Sequence, residues 1–197
     1  MIPGEELEPE PTMSPSIQPA PRRILSALKV LIVDDSPHMQ AILKRVLTDM
    51  NIRDMVLAKD IESGLTQLQR IRPDFAFIDW TVKPEGGSRF VRAVRTIDDA
   101  ELARTPLIMM AAQANVMRVK DARDAGINAF LAKPASVQAI MSRVLWVLSD
   151  ARPFIQSERY VGPDRRMRAL DHEGDERRQA TLVAPPPKAR GARHATR

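Results

Sequence analysis

Two hydrophobic periods alternate along this chain between about residues 29 and 151, and that alternation restricts the fold more than any other feature. Val30-Leu31-Ile32-Val33 is a short unbroken apolar run, the pattern of a strand buried on both faces. Met39, Ile42, Leu43, Val46, Leu47 and Met50 follow at helical spacing, with Ser36 placed to cap the helix and Pro37 suited to its first position. The pair then recurs. A strand is predicted at 55–58 and a helix at 60–71. The next strand, 75–78, is entered through Arg72-Pro73, and Gly86-Gly87 turns into a helix carrying Phe90, Val91, Val94 and Ile97. After Pro106 come a strand at 107–110 and a helix at 116–125 ended by Gly126 as a C′ glycine. A last strand at 129–132 leads to a helix at 136–149 with Val137, Ile140, Val144 and Leu148 on one face. Five strands alternating with five helices predict the α/β class, a doubly wound five-stranded parallel sheet.

Composition sets this core apart from its ends. Eleven of the sixteen prolines lie in residues 1–28 and 152–197. The first segment is acidic, and the last is rich in Arg and Pro and basic. Neither has the apolar content to offset chain entropy, so 1–27 and most of 152–197 are expected to be disordered, around one domain at 28–151. The chain has no cysteine, which excludes disulfides, thiol nucleophiles and cysteine-ligated metals and fits a reducing compartment. Three histidines, two of them near the C-terminus, argue against a histidine metal cage or a Ser-His-Asp hydrolase. The N-terminus is not a signal peptide, and no run approaches the roughly eighteen apolar residues of a membrane helix. A soluble, cytoplasmic protein without membrane insertion is expected.

Open α/β sheets carry their sites at the carboxyl ends of strands. The first strand ends in Asp34-Asp35, the third in Asp79 and the fifth in Lys133-Pro134. Singly, each has a structural reading: a strand-end Asp is commonly a turn former or helix cap, and a Lys before Pro a solvated loop charge. Jointly they place three carboxylates and an ammonium on one edge of one sheet. Carboxylates so clustered repel unless a cation sits among them, and all-oxygen ligation suits Mg²⁺. The lysine offers a point charge to a phosphoryl oxygen. Such an assembly suits in-line phosphoryl transfer, and a carboxylate can itself be the nucleophile.

With these residues in view, the chain resembles the receiver domain of two-component response regulators (CheY-like). The likeness rests on Val-Asp34-Asp35-Ser, Phe-Ile-Asp79-Trp with Gly87 eight residues on, and Leu-Ala-Lys133-Pro134, and spans about residues 28–150. The resemblance implies a flavodoxin-like sheet of strand order 2-1-3-4-5. It implies that Asp79 accepts a phosphoryl group from a histidine kinase or phosphotransfer protein. Asp35 and Asp79 would hold Mg²⁺ with the backbone carbonyl of Thr81 and help from Asp34, and Lys133 would pair with the phosphate. Output would be contact with a downstream protein through the face built from 116–125, 129–132 and 136–149, and such faces also allow a homodimer.

The departures are specific. Receivers usually end the fourth strand in Ser or Thr, whereas here Ala111-Ala112 offers no hydroxyl, and the switch aromatic of the fifth strand is Phe130, without a phenol. Thr81, Gln113 or the helix at 116–125 are candidates to compensate. Trp80 could shield the acceptor or pack over its loop. His38 reads as a helix-surface residue, and Met109, Met110, Met117 and Met141 as core filler and partner surface. In the C-terminal segment, Tyr160 and Val161 could anchor on the core with Arg165, Arg166 and Arg168 facing an acidic surface. Acidic residues at 171, 173, 175 and 176 interrupt the arginines and weaken a nucleic-acid reading, and nothing suggests sequence-specific DNA binding. A phosphorylation-controlled interaction module is the leading expectation. The alternatives are a constitutive scaffold or phosphate sink, and a tail-driven nucleic-acid binder.

Overall fold

Successive side chains of a strand leave opposite faces of its sheet, and that parity sorts the core here into two layers. The computed structural model describes residues 25–113, 115–157, 160–165 and 181–183. Strands β1 (Lys29–Val33), β2 (Asp54–Ala58), β3 (Phe75–Asp79), β4 (Leu107–Ala111) and β5 (Ala129–Ala132) form a parallel sheet of order β2-β1-β3-β4-β5. The expected class and strand order are those observed. Val30, Ile32, Phe75, Phe77, Ile108 and Met110 face α1 (Pro37–Asp49) and the C-terminal helix α6 (Val137–Leu148). Leu31, Val33, Ala76, Ile78, Leu107 and Met109 face α2 (Ile61–Ile71), α3 (Gly87–Arg95) and α5 (Val116–Ala125). A further short helix, α4 (Ala100–Ala103), lies between α3 and β4. β1, β3 and β4 are buried along almost their whole length, which is why they read as unbroken apolar runs.

Local chemistry sets the helix starts. Ser36 accepts from the Met39 amide at 3.3 Å, with Pro37 in the first turn. Asp60 and Ser63 form a reciprocal capping box, so the second helix begins at Ile61, one residue later than expected. Asn115 and Ser136 cap α5 and α6 through the amides of Arg118 and Ala139. α3 stops at Arg95, two residues before the expected Ile97, because the chain turns into α4. The periodicity does not register α4, a single turn capped by Asp99.

Residues 154–157 and 160–163, within the segment expected to be mostly disordered, form strands. β6 (Phe154–Ser157) and β7 (Tyr160–Pro163) form an antiparallel hairpin, with β8 (Thr181–Val183) paired to the other edge of β6. Phe154 and Tyr160 are buried, and the Tyr160 hydroxyl donates to the Pro163 carbonyl at 2.7 Å. The reason is Arg95. Its guanidinium is buried and donates to the carbonyls of Ala103 (2.6 Å), Thr105 (2.9 Å) and Gly126 (2.9 Å) and to Asn128 Oδ1 (3.1 Å). Ala103 and Gly126 sit at the ends of α4 and α5, where carbonyls lack intrahelical donors. Burial pushes the Arg95 pKa down to about 9, opposed by Tyr160, so it stays charged at neutral pH. Phe154 covers this cation, its ring centroid 5.4 Å from the Arg95 Cζ.

Hairpin and core also meet through backbone. A Cβ on Gly126, whose φ is +104°, would lie 2.4 Å from the Val161 carbonyl oxygen, so glycine both ends α5 and admits β7. Arg165 pairs with Asp124 of α5 and stacks 4.1 Å from the Tyr160 ring centroid. Of the two residues considered as anchors, Tyr160 is buried and Val161 half-buried, and Arg165 faces Asp124, while Arg166 and Arg168 lie outside the described residues, as do 1–24. Among the described residues no helix is long and apolar enough to cross a membrane. Because Phe154 packs into the core, Phe154→Ala should lower stability by about 3 kcal/mol. Urea denaturation checks this; an unchanged midpoint would show that the hairpin is not part of the cooperative unit.

Candidate functional site

The register of the central strands brings the acidic residues together. Val33 lies opposite both Ile78 and Ala58, so Asp34, which follows β1, and Asp79, the last residue of β3, are neighbours. β5 ends beside β4, and the Lys133 amide extends the ladder by donating to the Ala111 carbonyl at 2.7 Å. Lys133 then reaches across two strands. Its Nζ donates to Asp34 Oδ2 at 2.9 Å and to Asp79 Oδ1 at 2.7 Å. Oxygens of Asp34, Asp35 and Asp79 all lie within 4.8 Å of one another, with Asp34 and Asp79 buried and Asp35 exposed.

Neighbours aim these carboxylates. The Ser36 amide donates to Asp34 Oδ1 at 2.9 Å, which orients Asp34 as the chain turns into α1. Gln40 Nε2 donates to the Asp34 carbonyl at 2.7 Å, tying the end of β1 to the same helix. Asp79 Oδ2 accepts from the Thr81 amide at 2.7 Å and from the Thr81 hydroxyl. Gly87 lets α3 start against this turn, because a Cβ there would lie 2.4 Å from the Asp79 carbonyl oxygen.

Burial pushes the Asp79 carboxyl up, but hydrogen bonds from Lys133 and Thr81 outweigh it and hold the pKa below the usual aspartate range. Burial pulls the Lys133 ammonium down, and the bonds to Asp79 and Asp34 more than reverse this. Three carboxylates against one ammonium leave a negative excess in the pocket. The donor set is all oxygen, and each carboxylate oxygen has two lone-pair directions, so engagement with Lys133 and Thr81 leaves capacity for a further partner. These residues fit a hard divalent cation such as Mg²⁺.

The structure therefore gathers Asp34, Asp35, Asp79, Thr81 and Lys133 in one place. Ala111 is buried at the end of β4, and Phe130 of β5 is half-buried against the second core layer, so neither brings a polar group to the pocket. Trp80 is half-buried beside Arg118 of α5, whose Cζ lies 5.7 Å from the ring centroid. His38 and Gln113 are exposed, and Met109 and Met110 are core residues while Met117 is exposed. Sequence reasoning missed the contribution of Gln40. Gln40 lies one turn beyond the Ser36 cap, a position that gives no signal until the helix is docked.

The pH dependence follows from these shifts. The folded pKa of Asp79 is depressed, so its stabilising contribution is complete above the usual aspartate pKa of about 4 and is lost as pH falls through the lower folded value. In Lys133→Met, burial is opposed by Thr81 alone, and the Asp79 carboxyl should titrate at a higher pH. Carboxyl ¹³C titration of the chelator-treated protein checks this, and an unmoved Asp79 midpoint would refute the coupling.

Residues 30–145 match the response regulator receiver domain family. The chemotaxis protein CheY of Pseudomonas aeruginosa is 32% identical over 117 residues, covering 59% of this chain and 93% of that protein. Among solved structures, a response regulator from Chloroflexus aurantiacus superposes with a TM-score of 0.59 at 27% identity, covering 62% of this chain and 98% of its own. The receiver domain of a sensor histidine kinase from Pseudomonas aeruginosa, determined with a magnesium ion coordinated in its active-site cleft, gives a TM-score of 0.54 at 26% identity, covering 60% of this chain and 94% of its own. The fold, the strand-end acidic cluster and these matches agree: the chain belongs to the response regulator receiver domain family.

Proposed function

We propose that this protein is a response regulator that takes a phosphoryl group onto Asp79 from the phosphohistidine of a histidine kinase or phosphotransfer protein. The reading is carried by the convergence of Asp34, Asp35 and Asp79 within 4.8 Å, with Lys133 bonded to two of them. A carboxylate oxygen of Asp79 attacks phosphorus, the P–N bond to the donor imidazole breaks, and the imidazole leaves as the neutral ring once protonated. Depression of its pKa keeps Asp79 ionised and ready to attack at neutral pH. Lys133 moves its charge to a phosphoryl oxygen as the Asp79 carboxylate is converted to an acyl phosphate, a mixed anhydride. Asp34, Asp35, Asp79 and the Thr81 carbonyl would hold Mg²⁺, which when bound neutralises the transferring phosphoryl oxygens. The chain acts as acceptor and switch in the cytoplasm, signalling by contact with a downstream protein.

A specific feature favours a second reading. Ala111 is buried and offers no hydroxyl to a phosphoryl oxygen, which suits a scaffold or phosphate sink whose partner binding ignores phosphorylation. Radiolabel supplied from a phosphorylated kinase should appear in the wild-type chain, require Mg²⁺ and vanish in Asp79→Asn. Label that persists in that variant overturns the acceptor assignment. Partner affinity measured with and without label separates the switch from the sink.

A further inference from the structure

A change of charge at Asp79 has to reach the protein surface, and β4 cannot carry it by a side chain, because Ala111 has no polar group to turn toward a new ligand. The next residue after Asp79 has another route. The Trp80 backbone is fixed on both sides: its amide donates to the Met110 carbonyl at 2.7 Å, and its carbonyl accepts from the Gly87 amide at 2.8 Å. Its ring reaches α5, where the half-buried Arg118 guanidinium lies 5.7 Å from the centroid. The same guanidinium donates to the Gln113 carbonyl at 3.4 Å. Arg118 therefore touches both the acceptor loop and the loop leaving β4.

α5 is built to respond to that contact. It buries just two residues, Ala122 and Ala125, so little apolar area holds it to the sheet. Its far half is nonetheless tethered. Asp121 accepts from Ser88 at 2.6 Å and Arg92 at 2.8 Å, the Gly126 carbonyl accepts from Arg95, and Asp124 pairs with Arg165 of the hairpin. The near half is loose: Val116 is 83% exposed and Met117 73%. A helix held at its far end and touched at its first turn can pivot. Cation–π attraction strengthens as the pair is desolvated, and little apolar burial opposes it on this helix.

Resting on the acceptor reading above, we propose that Arg118 is the positioning residue that couples the Asp79 site to α5, through the ring of Trp80. When a phosphoryl group binds the Asp79 oxygens, the bond from Thr81 is displaced, the turn carrying Trp80 shifts, and the Arg118–Trp80 contact moves the first turn of α5. The hairpin sets the pivot by holding the other end. This places signal transmission on a side-chain pair in a receiver whose β4 ends in alanine.

The test uses the full chain in a Trp146→Phe background, since the protein has two tryptophans, with Mg²⁺ and beryllofluoride as the phosphoryl mimic. A protein-bound ¹⁹F signal reports occupancy of the acceptor, Trp80 emission reports the loop, and amide shifts of 116–125 report α5. The parent should show all three, and Asp79→Asn none. Arg118→Met should keep the ¹⁹F signal while the amide shifts of α5 fall by at least half, and Arg118→Lys, which keeps the cation, should restore them in part. Undiminished α5 shifts in Arg118→Met overturn the coupling and leave the acceptor reading intact. A missing bound ¹⁹F signal in the parent overturns both.

Discussion

One ammonium shared by two buried carboxylates organises the functional end of this molecule. Asp34 and Asp79 would repel across the strand ends, and Lys133, arriving from a strand two places away, makes their proximity tolerable. The compensation is incomplete, because Asp35 adds a third negative charge within the same 4.8 Å. A pocket left with negative excess and oxygen donors is receptive to a cation. The same geometry explains why the site responds to charge. Any group arriving at Asp79 meets the bonds from Lys133 and Thr81, and each of those is attached to a different loop.

A second cation organises the opposite pole. Among the described residues Arg95 is buried without a carboxylate in its hydrogen-bond set, and its donors go to the carbonyls of Ala103, Thr105 and Gly126 and to Asn128. A lone buried charge is expensive unless hydrogen-bonded and covered. Phe154 covers it. The network continues through Asn128, which donates to Asp150 at 3.3 Å, and through Arg152, which donates to the Asn128 carbonyl at 2.9 Å. Hairpin and receiver thus share one set of polar contacts, and α5 is the helix both poles touch: Arg118 at its start, and Gly126 and Asp124 at its end.

Much of the fold was legible because a parallel sheet buried on both faces leaves little choice of residue. Unbroken runs such as Phe75–Ile78 mark strands, caps such as Ser36 mark helix starts, and Gly126 marks an end. The site was legible for a related reason. Charged residues immediately after buried strands, as at Asp34, Asp35, Asp79 and Lys133, conflict with core packing and so stand out. The hairpin was not legible. Residues 152–165 are rich in Pro and Arg, and their apolar content looks too small for order when the segment is considered alone. Phe154 gains its partner from Arg95, about sixty residues earlier, and no local period signals such a contact.

The sequence by itself determined the order of strands and helices, the residues at the strand ends and the absence of a hydroxyl at position 111, since each depends on neighbours within a few residues. The tertiary structure alone decided that Lys133 bridges Asp34 and Asp79, that the Thr81 hydroxyl serves Asp79, that Arg118 meets Trp80, and that the hairpin closes over Arg95. Those contacts join residues brought together only by strand register and helix docking. Their energies depend on distance and burial, which a linear pattern does not contain.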